Sequence, residues 1–448
     1  MNVFFMSMGC AKNSVDSERL AGLLSAAGNK IVSNASEAQV GLINTCAFIQ
    51  EAVKENIDAI LDLEDLKKQG KLEKIIVAGC IVNRYEAELR KELPLVDFWA
   101  GTEDWDKIVD FLGREKGSSN CLPGPSRGLL AETRPWSRYL KVGEGCDTYC
   151  SYCTIPLIRG RLRSVPILRL VEEAKELVAS GAKELCLVGQ DLTAYGRDLY
   201  GEPSIQKLLE ALENALPSEM WIRLLYLHPD RITRDFLDFL SDSDKVLPYL
   251  DIPIQHIDSS ILAAMNRSPD VAHIRNVFQS ARRRNPLFTL RTTIMVGFPG
   301  ETEAQFERVL EFLEEAEIDR VGAFMYSPEE GTKAALMAGQ VPDEVKEERY
   351  SRLMGAQSQI AQERGELFVG KTLRVLVEET DQGNASAYGR SYRDAPEVDG
   401  VVFLENGGSL VPGSWVDASI QAAMGHDLFA FLPNQSPAPL GHPFLGLS

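Results

Sequence analysis

The sequence predicts an α/β chain of three parts: a parallel-sheet α/β domain, a barrel or partial barrel of βα units, and a small β-barrel. Three observations predict it. Short apolar runs alternate with helical patterns over residues 1–112, the alternation restarts near Arg138 with six further strand candidates, and after residue 366 five short strands follow with no helix between them. A length of 448 residues fits about three domains.

In the first part, "VFFMSMGC", "VGLINTC" and "KIIVAGC" read as buried strands, and each ends in a cysteine: Cys10, Cys46 and Cys80. "DSERLAGLLSAAG" and "QEAVKENIDAILDLEDL" read as the helices between them. Ligands of such sheets sit beyond the carboxyl ends of the strands, where all three cysteines fall. Asn13 with Asp16 resembles a capping arrangement, so a helix is expected to start just after Cys10. Residues 113–131, rich in Gly, Ser and Pro, read as a linker. The second part spans 132–366. Its six strands are "YLKVGEG", "ELCLVGQD", "WIRLLYLH", "YLDIPIQH", "LRTTIMVGFPG" and "RVGAFMYS". In a barrel of βα units the strand C-terminal ends line the site, and Gln190, His228, His256, Gly297 and Tyr326 are near such ends. A long polar helix, "PDEVKEERYSRLMGAQSQIAQERGELFVG", closes this part. Residues 367–433 carry the small barrel, and 434–448 read as a tail.

Hydrophobic residues make up 44% and charged ones 25%, which are globular values. No apolar run approaches the roughly 20 residues of a membrane span. "MNVFFMSMGC" lacks a basic leader and a cleavage site and reads as a first strand, so a cytoplasmic location is expected. Eight cysteines in a reducing compartment point to metal or redox chemistry rather than disulfides. A net charge of −18 argues against a broad grip on nucleic acid and suits a basic partner.

"GCDTYCSYC" places Cys146, Cys150 and Cys153 in a C-x3-C-x2-C loop. Three thiolates can hold three irons of a [4Fe–4S] cube and leave the fourth iron to a non-protein ligand. Zinc would need a fourth ligand, and no Cys or His follows within reach in sequence. Cys10, Cys46 and Cys80 leave two readings open: ordinary buried cysteines, or a second set of three ligands. A helix N-terminus just after Cys10 would favour an anionic cluster there. Cys121, in the linker, and Cys186, in mid-strand, read as incidental.

The C-x3-C-x2-C loop on a βα barrel resembles the radical S-adenosylmethionine (SAM) superfamily. With the N-terminal cysteine triad and the C-terminal β-barrel, the chain resembles the methylthiotransferases up to about Pro433. "MGCAKNSVDSE", "GQDLTAYG", "YSPEEGT" and "GRSYRDAPEVDG" are similar to the RimO branch, which modifies an aspartate of small-subunit ribosomal protein S-twelve. The MiaB branch, which modifies a tRNA adenosine, usually carries "GCQMN" at the first of these. The residues offer a separate test. A TRAM domain that grips tRNA should be basic, yet Leu367 to Leu432 holds four basic and nine acidic residues, a balance of −5. Asn83 stands where the family more often shows Gln, with little consequence expected.

The resemblance implies a radical SAM (βα)6 TIM-like barrel and an OB-like TRAM barrel. It implies two [4Fe–4S] clusters: one on Cys146, Cys150 and Cys153 that binds SAM, and a second on Cys10, Cys46 and Cys80 that presents sulfur. The reaction implied is methylthiolation of an aspartate β-carbon, with a second SAM as methyl donor. An electron donor such as flavodoxin or ferredoxin and a sulfur donor are implied as partners, with no membrane and no direct tRNA contact. Tyr152 is expected near the adenine, or else filling core as a loop aromatic. Gln190 and Arg291 are expected at the same mouth. Gly297 and Gly300 in "GFPGETE" would allow close approach of SAM, or else form a tight turn. Arg159 and Arg161 would neutralise cluster or substrate charge, or lie solvated. "RRR" at 282–284 reads as an exposed helix face, and His228 and His256 as strand-end hydrogen-bonding groups. A tRNA-modifying enzyme and a non-catalytic iron–sulfur scaffold are the alternative functions.

Overall fold

The computed structural model describes residues 1–113, 127–130 and 133–432. Cys121, most of the expected linker and the expected tail lie outside the described residues. The N-terminal strands are β1 (Asn2–Ser7), β2 (Lys30–Val32), β3 (Val40–Thr45), β4 (Lys74–Gly79) and β5 (Phe98–Ala100), interleaved with α1 (Ala11–Ala26), α2 (Gln50–Lys68), α3 (Cys80–Glu92) and α4 (Trp105–Leu112). The strands form a parallel sheet in the order β2-β1-β3-β4-β5. β3 is buried at every residue: Val40 to Ile43 form a short apolar run, and the polar Asn44 and Thr45 that end it are hydrogen-bonded, Asn44 to Ser17 Oγ (2.9 Å) and Thr45 to Ala78 O (2.5 Å). Chain direction across the sheet reverses between β1 and β3, and a crevice opens at such a switch point beyond the strand ends. β2 and β5 were not expected from the sequence. Each has three residues and an edge position, too short for a hydrophobic period to register.

The second part begins with β6 (Ser137–Lys141), β7 (Gly143–Glu144), α5 (Ile155–Arg159), β8 (Arg163–Ser164), α6 (Ile167–Ala179), β9 (Glu184–Val188), α7 (Arg197–Tyr200), α8 (Ile205–Ala215) and β10 (Trp221–Leu224). It continues with α9 (Arg234–Asp242), β11 (Tyr249–Asp251), α10 (Ser259–Ala264), α11 (Val271–Arg284), β12 (Thr289–Val296), α12 (Glu303–Ala316), β13 (Arg320–Met325) and α13 (Asp343–Glu366). All six expected strands are present, as β6, β9, β10, β11, β12 and β13. They form two parallel sheets, β10-β9-β6 and β11-β12-β13. Backbone bonds such as Leu227 N–H to Asp251 O (2.8 Å) join the two into an arc. β6 and β13 do not pair, so the barrel is partial. Leu185, Leu187, Ile222, Leu250, Leu290 and Ile294 pack outward against the helices in the main core. Cys186, Val188 and Tyr249 belong to a separate core with Tyr139 and Tyr226 on the other face of the strands. Cys186 is thus a packing residue.

The third part is a closed five-stranded barrel of β14 (Thr372–Asp381), β15 (Ser386–Arg390), β16 (Val402–Glu405), β17 (Trp415–Met424) and β18 (Asp427–Phe431). Its segment 390–400 stops the N-terminal end of the larger barrel. Arg390 pairs with Glu184 at the start of β9 (2.6 Å), Asp394 with Arg320 at the start of β13 (2.9 Å), and Asp399 accepts from Tyr249 at the start of β11 (2.6 Å). Arg223 of β10 donates to Tyr392 O (2.8 Å). The acidic balance counted from sequence therefore includes inward-facing groups: Glu378, Asp394 and Asp399 are spent in buried ion pairs. Glu379, Asp381, Glu397, Glu405 and Asp417 are exposed, against Lys371 alone among the basic residues, so the outer face is acidic.

The triplet at 282–284 is a partial correction. Arg283 is exposed, but Arg282 pairs with Asp319 (2.6 Å) and Arg284 with Asp238 (2.6 Å).

Candidate active site: two cysteine triads and a buried arginine

Cys10 immediately follows the β1 loop and caps α1, Cys46 follows β3, and Cys80 opens α3 after β4. The three strands are adjacent in the sheet, so the thiols share one edge. The helix does begin after Cys10, but the expected capping arrangement is absent. Cys10 is the N-cap without a side-chain bond, and Asn13 lies inside the helix, donating to Met8 O (2.9 Å) and Thr45 O (2.7 Å). Gly9 has φ +96°, and a Cβ there would lie 2.5 Å from Cys46 Cβ, so only glycine lets Cys10 and Cys46 approach.

The three thiols differ electrostatically. Burial opposes ionisation of Cys10, but the Lys12 ammonium, the Asn13 and Lys12 backbone N–H groups and the Arg159 guanidinium outweigh it and lower its pKa. Burial dominates for the others, raising Cys46 and pushing Cys80 up to about 11.

Cys146, Cys150 and Cys153 lie between β7 and α5. The loop is held by Ser151 N–H to Met265 O (2.9 Å), Ser151 Oγ to Ala264 O (2.8 Å) and Asn266 Nδ2 to Tyr149 O (2.9 Å). Thr148 N–H points at Cys146 Sγ (3.4 Å) and Arg267 Nη1 at Cys150 Sγ (3.8 Å). Burial raises Cys146, and burial with the neighbouring Cys150 pushes Cys153 up to about 12. All six cysteines are free thiols. Among the described residues no three His, Cys, Asp or Glu side chains converge tightly enough for a single metal ion. A cube whose ligands attach to different irons has no such requirement, and two sets of three soft thiol donors fit it.

Arg159, the last residue of α5, ties the element that follows the C-x3-C-x2-C loop to the N-terminal triad. From the Cys153 loop it reaches Cys80 Sγ (3.2 Å), Asp16 (2.9 Å), Glu144 (2.6 Å) and the Asn13 amide oxygen. Lys141 of β6 completes the network with Asp16 and Glu144, so two cations face two carboxylates, all buried or nearly so. Burial disfavours the Arg159 charge, but Cys80, Asp16 and Glu144 outweigh it and hold the guanidinium ionised. A second network, Glu18 with Arg127 and Arg138, continues along α1. Further contacts between the two parts are Asn83 Nδ2 to Ile158 O (2.7 Å), Thr154 Oγ1 to Phe48 O (3.0 Å) and Arg84 to Glu329 (3.2 Å). Sequence reading weighed Arg159 but missed Asp16, Glu144 and Lys141, whose pairing becomes visible once α1 is laid against β6.

The remaining expected residues divide. Gln190 donates to Glu144 (2.8 Å), and its buried Oε1 has no partner among the described residues. Tyr152 packs with Ile261, Met265, Met295, Phe298 and Tyr326 beside the C-x3-C-x2-C loop. Arg291 does not stand at the strand ends with Gln190. It lies three residues into β12, paired with Asp251 (2.8 Å) and Asp399 (3.5 Å). Gly297 (φ +74°) gives room to Lys346 Cγ, 2.3 Å from where its Cβ would be. Gly300 (φ +82°) forms a turn whose N–H donates to Gly339 O (2.8 Å). Arg161 is solvated beside Asp147. His228 Nδ1 accepts from Asp230 N–H (3.4 Å) and His256 Nδ1 from Asp258 N–H (2.9 Å), so both are strand-end hydrogen-bonding groups.

Family models match three stretches of the chain: the uncharacterized protein family UPF0004 over residues 2–101, the radical SAM superfamily over 140–313 and the TRAM domain over 369–432. Among solved structures, the radical SAM methyltransferase TsrM of Kitasatospora setae superposes with a TM-score of 0.53 at 12% identity, covering 72% of this chain and 74% of that one. The cobalamin-dependent radical enzyme OxsB superposes with a TM-score of 0.54 at 11% identity, covering 80% of this chain and 56% of that one. At such identities the likeness is one of fold. The ribosomal protein uS12 methylthiotransferase RimO of Syntrophus aciditrophicus is 43% identical over 96% of this chain and 98% of its own. The RimO of Aquifex aeolicus is 42% identical over 96% of each chain. Identity at this level, sustained across all three domains, means that the protein belongs to the RimO family of radical SAM methylthiotransferases.

Proposed function

We propose that the chain methylthiolates the β-carbon of an aspartate in ribosomal protein uS12, using SAM and two [4Fe–4S] clusters. The observation that carries this reading is the docking of the Cys10, Cys46 and Cys80 edge onto the element that follows the C-x3-C-x2-C loop, through the buried Arg159. Cys146, Cys150 and Cys153 would hold one cluster and Cys10, Cys46 and Cys80 the other. With SAM on its open iron, a [4Fe–4S] cluster supplies one-electron cleavage of SAM and hence a radical that takes hydrogen from an unactivated carbon.

The chain's own residues orient and enclose. Gln190 offers an unpartnered buried amide oxygen next to Glu144. Tyr152 backs the Cys150 and Cys153 loop with an apolar wall. Arg159 and Lys141 hold the N-terminal domain over the strand ends, which excludes water and fixes one triad against the other. The acidic outer face of the TRAM barrel suits a basic protein and repels a phosphate backbone. That disfavours a tRNA substrate, and kinship with methylthiotransferases disfavours a non-catalytic scaffold. The setting would be the cytoplasm, with an electron donor and a sulfur donor supplied by the cell; among the described residues no helix is long and apolar enough to cross a membrane.

Anaerobic reconstitution with iron, sulfide, SAM and dithionite tests the reading. The expected result is 5′-deoxyadenosine formation and a gain of about 46 Da on uS12, SCH3 replacing H. Unmodified uS12 alongside 5′-deoxyadenosine would overturn the substrate, and no 5′-deoxyadenosine would overturn the chemistry.

A further inference from the structure

Lys12 is the second residue of α1, two positions beyond Cys10, and is nine-tenths buried. Its ammonium sits 3.9 Å from the centroid of the Tyr226 ring. Tyr226 follows the C-terminal end of β10, so Lys12 projects from the N-terminal domain onto the strand ends of the larger barrel. Among the described residues Lys12 makes no ion pair and its ammonium makes no hydrogen bond. The other cations around it are engaged: Lys141 with Asp16 and Glu144, Arg159 with the same two, and Arg231 with Asp191 (2.6 Å). A ring face balances an ammonium only in part, and three N–H donors stay open. Burial opposes the charge and Cys10 and Glu144 nearby favour it as well, yet neither takes its N–H donors, so the ammonium is held charged with its donors free for a further anion.

Tyr226 is itself held in a rare conformation. Its φ is +67°, and its N–H donates to Asp251 (2.9 Å). The surrounding structure thus fixes the ring on which the ammonium rests, which keeps Lys12 from relaxing outward.

We infer that Lys12 is a substrate-binding residue whose ammonium takes the side-chain carboxylate of the aspartate to be modified. The inference rests on the protein-substrate reading above and names the group that recognises it. The carboxylate is bonded to the β-carbon, so a fixed cation there orients the C–H bond to be broken. The same charge would favour aspartate over asparagine at the modified position. A competing role, balancing an anionic cluster on Cys10, uses the same ammonium and predicts no such discrimination.

The test uses reconstituted full-length enzyme and two probes: uS12, and uS12 with the modified aspartate, located by mass spectrometry, changed to asparagine. Kd is measured for wild type, Lys12→Met and Lys12→Arg, with iron content and cluster absorbance recorded for each. Wild type is expected to bind the aspartate form about tenfold or more tighter, Lys12→Met to bind both forms alike, and Lys12→Arg to restore most of the ratio. A Lys12→Met enzyme that keeps the wild-type ratio overturns the inference, as does a wild type that shows no ratio. So does Lys12→Met losing cluster absorbance while keeping its ratio, which would assign Lys12 to the cluster. A wild type that neither binds nor modifies uS12 refutes the proposed function itself, and this inference with it.

Discussion

Replacing Arg159 by methionine removes a side chain that ties the barrel element following the C-x3-C-x2-C loop to Cys80 and Asp16 of the N-terminal domain. Asp16 and Glu144 would then share a single cation, Lys141, where two cations now serve them. Breaking a buried pair by removing one partner costs about 3–5 kcal/mol, because the remaining charge stays desolvated. Lys141 stays 2.8 Å from Glu144 and also contacts Asp16, so the lower end applies, about 3 kcal/mol. Arg159→Lys keeps the charge but not the planar fork, and one ammonium cannot span Cys80, Asp16 and Glu144 together. Its cost should fall between the two proteins. Thermal melting of the metal-free chain, followed by far-UV circular dichroism, is the assay, since bound clusters would break two-state behaviour. At about 2 cal/mol/K of unfolding entropy per residue, a chain of 448 residues melting as a unit shifts by about 1 °C per kcal/mol, so Arg159→Met should melt about 3 °C below wild type. A melting temperature within about 1 °C of wild type would refute the claim that this network clamps the N-terminal domain to the barrel.

Burial holds His228 neutral, its pKa pushed down to about 2 from the ordinary 6.5. The unfolded chain takes up a proton as pH falls through 6.5 while the folded chain does not, so stability is complete above that pH and declines below it. The loss should be about 1.4 kcal/mol at pH 5.5, and His228→Asn, which keeps an acceptor for Asp230 N–H, should remove that increment from the pH dependence of urea denaturation. Gly9→Ala and Gly145→Ala should separate the two sites. Each has positive φ, and an added Cβ would lie 2.5 Å from Cys46 Cβ in the first and 2.1 Å from Arg161 O in the second. Iron should fall by about half in both, with SAM cleavage surviving in Gly9→Ala and lost in Gly145→Ala. Equal loss of cleavage in the two would count against separate clusters.

The sequence shows the fold well where a pattern is local. The six barrel strands read directly because each is a short apolar run bounded by helical periodicity. The C-x3-C-x2-C triad shows as a local spacing, whereas Cys10, Cys46 and Cys80 show only as cysteines at three strand ends and leave ordinary packing open as a second reading. β2 and β5 do not read from the sequence, being three-residue edge strands. α1 misleads for a different reason. It is buried on two sides, by its own sheet and by β6, so Lys12, Asn13, Asp16, Ser17 and Glu18 are all buried beside Leu20 and Leu24. A helix in that position shows no apolar stripe, and its charges look like a solvated face until the second domain supplies Lys141, Arg138 and Arg159.

The same holds at the other end of the barrel. Glu184, Arg223, Arg291 and Arg320 lie on barrel strands, where a charged residue reads as a flaw in an apolar run. Each finds its partner in residues 390–399 of the third domain: Glu184 in Arg390, Arg223 in backbone carbonyls, Arg291 in Asp399, Arg320 in Asp394. An open arc of six strands exposes its interior at both ends, and here each end is closed by another domain through paired charges. Polar closure of this kind is weak as a source of stability but strict in geometry, since any shift leaves a desolvated charge alone. It sets the two triads at a fixed separation, as the proposed reaction, with a cluster on each, would require. Charged residues inside apolar strands are therefore the sequence signal of domain docking in this chain, carried by Lys141, Glu184, Arg223, Arg291 and Arg320.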